Sequence, residues 1–151
     1  VNYYGDLEAT EVIISMGSAS PTIQQTVDYL NNNGRKVGHL DIHLYRPFPA
    51  EYLLKKLPKT VEKVAVLDRT KEPGSDGEPL LLDVQSVLYR HENRPVVIGG
   101  RYGIASKDVT PDQIVAVYDH LLLPVNEMKQ RFTIGIIDDV THLSLPMSET
   151  F

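Results

Sequence analysis

Apolar and polar positions along this chain follow two periods, and each switch from one to the other predicts an element. Glu11-Val-Ile-Ile-Ser-Met16 is a short β-branched run ending at Gly17, the pattern of a buried strand. Ser20 and Pro21 then read as an N-cap and a proline at the first helical position. Ile23, Val27 and Leu30 lay an apolar stripe along that helix, which stops at Asn33-Gly34. Lys36 to Leu44 is the next predicted strand, broken sharply by Arg46-Pro47-Phe48-Pro49 because proline removes a donor and restricts its predecessor. A short helix over Ala50 to Leu57 follows, with Tyr52, Leu53, Leu54 and Leu57 as its apolar set.

Lys63 to Leu67 is a third strand, and a loop rich in Gly and Pro leads from it into a helix over about Glu78 to His91. Pro95 to Ile98 is a fourth strand, ending in the turn Gly99-Gly-Arg-Tyr-Gly103. Thr110, Pro111 and Gln113 open a further helix in a near capping box, and Ile114, Val117, Tyr118 and Leu121 form its buried face. Phe132 to Ile137 is a last strand-like run. The alternation of strands with helices predicts an α/β fold: a three-layer sandwich with a mostly parallel sheet and helices on both faces. Residues 1–151 form a single domain, with 1–10 as a lead-in segment and 138–151 as an extended exit tail.

Composition narrows the function. At 151 residues the chain can bury a core of its own, and 42% hydrophobic with 23% charged residues is ordinary for a soluble globular protein. A net charge of -5 without a long basic run argues against nucleic acid as the main partner. No apolar stretch is long enough to span a membrane, and no signal-peptide pattern opens the chain, so a cytoplasmic location is expected. Cysteine is absent, which removes disulfides, thiolate nucleophiles and cysteine-ligated clusters from this segment. The first residue is Val1 rather than Met, as expected of a processed protein or, the reading adopted, of a piece of a longer one.

The candidate chemistry is thin. Neither GxGxxG nor a Walker A pattern occurs, although Gly17 to Ser20 and Gly74 to Gly77 both link a strand to a helix and leave a phosphate site open as the alternative to a plain turn. His39, Asp41 and His43 share one face of the second strand by period-2 alternation. A polar or partly covered sheet face is the reading preferred over a metal site, since no further ligand is in view. Asp138, Asp139 and His142 read as strand-end polarity, or as contacts to a neighbouring domain. Glu72 and Glu78 carry no sign of a tuned acid–base pair. No catalytic, cofactor-binding or metal-binding residue is therefore assigned to the segment.

Several blocks, in order, carry a family resemblance: Tyr45-Arg-Pro-Phe-Pro-Ala50, Val66-Leu-Asp-Arg-Thr-Lys-Glu-Pro-Gly74, Gly77-Glu-Pro79, Leu82-Asp-Val84, Gly99-Gly-Arg-Tyr-Gly103 with Ser106-Lys-Asp108, Phe132-Thr-Ile-Gly-Ile136, and Asp138-Asp-Val-Thr141 with Ser144-Leu-Pro146. Together they resemble the second domain of pyruvate:ferredoxin (flavodoxin) oxidoreductase, a domain similar to the C-terminal domain of transketolase. The resemblance implies a long multidomain, homodimeric enzyme that converts pyruvate and coenzyme A to acetyl-CoA and carbon dioxide. It implies thiamine diphosphate, iron–sulfur clusters and coenzyme A as cofactors of the whole, none of them in this segment, and ferredoxin or flavodoxin as electron acceptor. The segment itself is then expected to be inactive when isolated, and to position the other domains of its chain. Arg69, Lys71, Glu72 and Arg101, beyond the carboxyl ends of predicted strands, are the expected interdomain or anionic-ligand contacts. A self-contained phosphate- or nucleotide-binding module and a protein–protein interaction module are the competing readings.

Overall fold

The computed structural model describes residues 2–16, 19–43, 49–69, 79–91, 94–102, 109–133 and 145. Its strands are β1 (Asn2–Gly5), β2 (Glu11–Ser15), β3 (Val37–Asp41), β4 (Lys63–Arg69), β5 (Val96–Tyr102) and β6 (Arg131–Thr133). The helices are α1 (Ser20–Asn32), α2 (Ala50–Lys56), α3 (Pro79–Leu88) and α4 (Pro111–His120). One six-stranded sheet has the order β1-β3-β2-β4-β5-β6. β2 to β6 run parallel, and β1 joins antiparallel to β3 at the edge.

Two apolar layers sandwich this sheet. On one face Ile13, Val37, Ala65, Leu67 and Ile98 meet Ile23 and Val27 of α1 and Ile114, Val117 and Tyr118 of α4. On the other face Val12, Ile14, Leu40, Val64 and Val66 meet Leu53 of α2 and Leu81, Val84 and Leu88 of α3. Alternate residues of each central strand thus feed opposite layers, so β2 is buried along its whole length.

Several local expectations change. The lead-in segment contains a strand: β1 pairs Asn2 with Asp41 and Gly5 with Gly38. Ser20 is the first residue of α1 rather than its cap; Ala19 precedes it in helical geometry and no side chain caps the end. Tyr52 is 63% exposed, because α2 turns only Leu53 fully inward. The fourth strand runs through the predicted Gly99-Gly100-Arg101-Tyr102 turn. Gly99 and Gly100 pair with Val66 and Leu67 in an unbroken ladder.

Crowding explains Gly100. A Cβ on Gly100 would overlap the Phe132 ring and come within 2.8 Å of Leu67 Cδ2. Gly38 faces the same restriction, since a Cβ there would overlap the Tyr3 hydroxyl. A Gly100→Ala substitution should therefore destabilise the protein by about 1–3 kcal/mol, the range for overpacking a core. Urea unfolding measures the loss, and Phe132→Leu in the same chain should recover part of it. Failure to recover any would mean that ring crowding is not the cause.

Candidate functional site

Two neighbouring central strands, β2 and β4, send their connections to opposite sides of the sheet. After β2 the chain passes to α1 on one face; after β4, the neighbouring strand, it reaches α3 on the other. In open α/β sheets such a switch point opens a crevice at the carboxyl ends of the strands. Here that edge is formed by Ser15 at the end of β2, by Met16 just after it, and by Leu67, Asp68 and Arg69 from β4. Tyr102, at the end of β5, reaches across it and donates its hydroxyl to the Met16 carbonyl at 3.4 Å. Its ring is 2% exposed, so the edge is closed by an aromatic side chain on the α1 and α4 side.

Of the four sequence-derived contact residues, Arg69 and Arg101 fall on described strands. Arg101 lies inside β5, half-buried, rather than on a loop beyond it. Its register partner is Asp68, which brings an opposite charge alongside it, because partners in a parallel ladder share a face. Arg69 ends β4 one rung further on, where its backbone pairs with Tyr102. Lys71 and Glu72 lie outside the described residues, as do both glycine loops apart from Ala19 and Ser20, and Asp138, Asp139 and His142.

The His39, Asp41 and His43 pattern is brought together, but its setting differs from a polar or partly covered face. His39 is 0% exposed and Asp41 7%, because α1 covers this side of β3. Ser15 joins them. Its Oγ lies 2.7 Å from His39 Nε2, and its Cα is the register partner of Asp41. At the rim, Asp41 Oδ2 is 3.5 Å from His43 Nε2, which in turn lies 2.9 Å from Asn2 Nδ2 of β1. In the sequence Ser15 reads only as part of a buried strand. The available signal was a hydroxyl breaking an apolar run one residue from the strand's end.

A hydroxyl, an imidazole and a carboxylate suggest a nucleophile triad, and the geometry rejects it. The imidazole Nδ1 makes no hydrogen bond, so Asp41 does not orient it, and Ser15 is fully buried. Burial pushes the His39 pKa down to about 4 from the usual 6.5, with Asp41 opposing more weakly. The ring is a neutral core group. Among the described residues no three His, Asp or Glu side chains converge as a metal-ligand set.

The fold defines a class of protein: a three-layer α/β domain with a mostly parallel sheet. The family is particular. The model of the pyruvate:ferredoxin oxidoreductase core domain II matches residues 9–114, and the chain belongs to that family. It is 53% identical over 98% of its length to a pyruvate-flavodoxin oxidoreductase of Enterobacter agglomerans, and spans 12% of that protein. A pyruvate:ferredoxin oxidoreductase of Moorella thermoacetica is 51% identical over 98% of the chain, again across 12% of the relative. A solved structure of a 2-oxoglutarate:ferredoxin oxidoreductase from Magnetococcus marinus, with 2-oxoglutarate, coenzyme A and succinyl-CoA bound, superposes with a TM-score of 0.56. That alignment covers 82% of this chain and 20% of the other at 18% identity, a likeness of fold alone. Among the described residues no helix is long and apolar enough to cross a membrane.

The buried imidazole makes stability depend on pH. An unfolded histidine takes a proton near 6.5, whereas His39 in the folded state stays neutral to about 4. Between those values the unfolded state binds more protons, so stability falls as pH drops through the window, by about 3 kcal/mol in all. His120 adds to the loss in the same direction, its pKa lowered first by burial and then by Lys129. Urea midpoints across the window should fall less steeply for His39→Gln than for the wild type; parallel profiles would rule His39 out as the source.

Proposed function

We propose that this chain is the second core domain of a pyruvate:ferredoxin or pyruvate:flavodoxin oxidoreductase, and that it positions the other domains rather than performing chemistry. The observation carrying this reading is the match itself: near 50% identity along almost the entire chain to about an eighth of much larger relatives. The whole enzyme converts pyruvate and coenzyme A to acetyl-CoA and carbon dioxide in the cytoplasm, as a homodimer, and passes electrons to ferredoxin or flavodoxin. It does so with thiamine diphosphate and iron–sulfur clusters. The clusters do not fit this chain, which has no cysteine to ligate them.

What the domain offers its neighbours is surface. Tyr52, Leu82 and Tyr89 are 63%, 50% and 68% exposed, on or just beyond α2 and α3. Aromatic residues of this kind are enriched where protein surfaces meet. Arg94 lies 4.7 Å over the Tyr89 ring, and an Arg90–Glu51 pair at 4.0 Å links the two elements beside both tyrosines. Arg69, Lys71 and Glu72 are the contacts assigned in this reading to a neighbouring domain or an anionic ligand, while Arg101 pairs in register with Asp68.

Lys71→Ala and Arg101→Ala in the intact enzyme test the assignment. A positioning domain should leave the KM for pyruvate and for coenzyme A within about twofold of wild type, with Arg101→Ala lowering thermal stability. A rise of about tenfold or more in either KM, some 1.4 kcal/mol of lost ligand binding, would instead make the edge part of the anionic-ligand site.

A further inference from the structure

The two helical layers differ in what their outer surfaces carry. No large apolar residue of α1 or α4 is exposed, whereas Tyr52, Leu82 and Tyr89 are exposed on or just beyond α2 and α3. The Tyr89 N–H still bonds the Gln85 carbonyl at 3.2 Å, so the helical spiral of α3 extends to it. Leu82 lies about two turns before Tyr89, which stacks both on one side of that helix. Arg90 Nη1 is 4.0 Å from Glu51 Oε1, which joins the neighbour of Tyr52 on α2 to the neighbour of Tyr89.

The charges around these side chains are unbalanced. Among the described residues of this layer, Lys55, Lys56, Lys59, Arg90 and Arg94 are exposed cations, against the carboxylates of Glu51 and Asp83. Arg94 lies 4.7 Å over the Tyr89 ring and brings positive charge to the apolar centre itself. A chain of net charge -5 thus presents one face with an apolar centre and a cationic rim. Such a face selects a surface that places carboxylates around an apolar middle. The apolar centre and the two acids set it apart from the continuous basic surface that nucleic acid requires.

We propose that the outer face of α2 and α3 is covered by an acidic surface of another domain of the same polypeptide. Tyr52, Leu82 and Tyr89 fill the centre of that contact, and the lysines and arginines pair with carboxylates at its rim. The inference rests on the assignment of the chain to a much larger enzyme. Size favours a tethered occupant. At about 150–250 Å² for a buried tyrosine, the exposed parts of Tyr52 and Tyr89 offer about 200–330 Å². A separate specific partner needs about 800 Å² on each side. Domains of one chain hold together across about 600–1,500 Å² in total, because the covalent link keeps their faces at high effective concentration.

Zero-length carbodiimide cross-linking of the intact enzyme, read by peptide mass spectrometry, tests this. The ε-amine of Lys55, Lys56 or Lys59 should join an aspartate or glutamate outside residues 1–151, in a product that migrates as one polypeptide on a denaturing gel. Tyr52 and Tyr89 should resist iodination in the native enzyme. Replacing both lysines of α2, Lys55→Glu with Lys56→Glu, should lower that resistance by about tenfold or more, since like charges would then meet. Three results would each overturn the proposal: tyrosines that iodinate as in the unfolded enzyme, cross-links confined to residues 1–151 or reaching a second subunit or a separate protein, and protection unchanged by the charge reversal. Turnover of pyruvate by the same preparation reports on the assignment separately. An active enzyme with both tyrosines labelled fails this surface alone; the expected cross-links in an enzyme without that activity fail the assignment alone.

Discussion

Everything in this domain follows from β2 being covered on both faces. All five of its residues are buried, and its three central side chains, Val12, Ile13 and Ile14, are fully so. A strand in that position has no solvent to solvate a polar group, so polarity is confined to its ends, Glu11 and Ser15. β4 obeys the same rule, with Val64 to Leu67 buried and Asp68 and Arg69 following. Full burial of each large aliphatic side chain contributes about 1.5–3 kcal/mol, so the two layers supply most of the driving force. Their cost is that any chemistry, or any contact with another domain, must occur at the strand ends or on the outer helix surfaces.

The edge of the sheet is held by different means. β1 buries little apolar surface, and its position depends on polar ties. Tyr4 donates to both carboxylate oxygens of Asp28 on α1, at 2.7 and 2.8 Å, and Tyr3 caps its own turn through the Asp6 carbonyl at 2.5 Å. Gly38 of β3 is the meeting point. Tyr3 occupies the space of its missing side chain, while the buried Tyr118 hydroxyl of α4 donates to its carbonyl at 2.6 Å. Asn31 locks α1 to the start of the same strand by bonding both the N–H and the carbonyl of Val37, at 2.9 and 3.0 Å. Arg35 adds a pair with Asp119 at 2.6 Å across to α4. These ties are specific rather than strong, since each exchanges protein for water as partner.

The sequence made the central architecture legible because period and length are strong signals in buried strands and amphipathic helices. Ile23, Val27 and Leu30, or Ile114, Val117 and Tyr118, could hardly be arranged otherwise. The capping signal at Thr110 was also sound: its N–H bonds Gln113 Oε1 at 3.2 Å. What failed were positions where a long-range partner outweighs local preference. Asn2 to Gly5 has no apolar alternation, and β3 alone makes it a strand. Gly99-Gly100 reads as a turn, yet both lie in the β5 ladder, and at Gly100 it is Phe132 and Leu67 that need the room. Arg101 was therefore placed on a loop when it lies in a ladder. His39 was read as belonging to a polar or partly covered face because sequence shows alternation but not which helix lies above it.

That last point bears on how such a domain keeps one arrangement. An apolar residue in place of His39 would fill the same layer without the penalty of desolvating an imidazole, and buried polar groups seldom add net stability. What they add is discrimination. A side chain that needs Ser15 on β2 is satisfied in a single register, whereas a shift of one residue would turn it to the opposite face. β2 presents a nearly featureless aliphatic run to both layers, so register is the property its apolar residues specify least. A polar group at the carboxyl end corrects that weakness where it matters most, at the edge from which the chain's connections leave toward opposite faces.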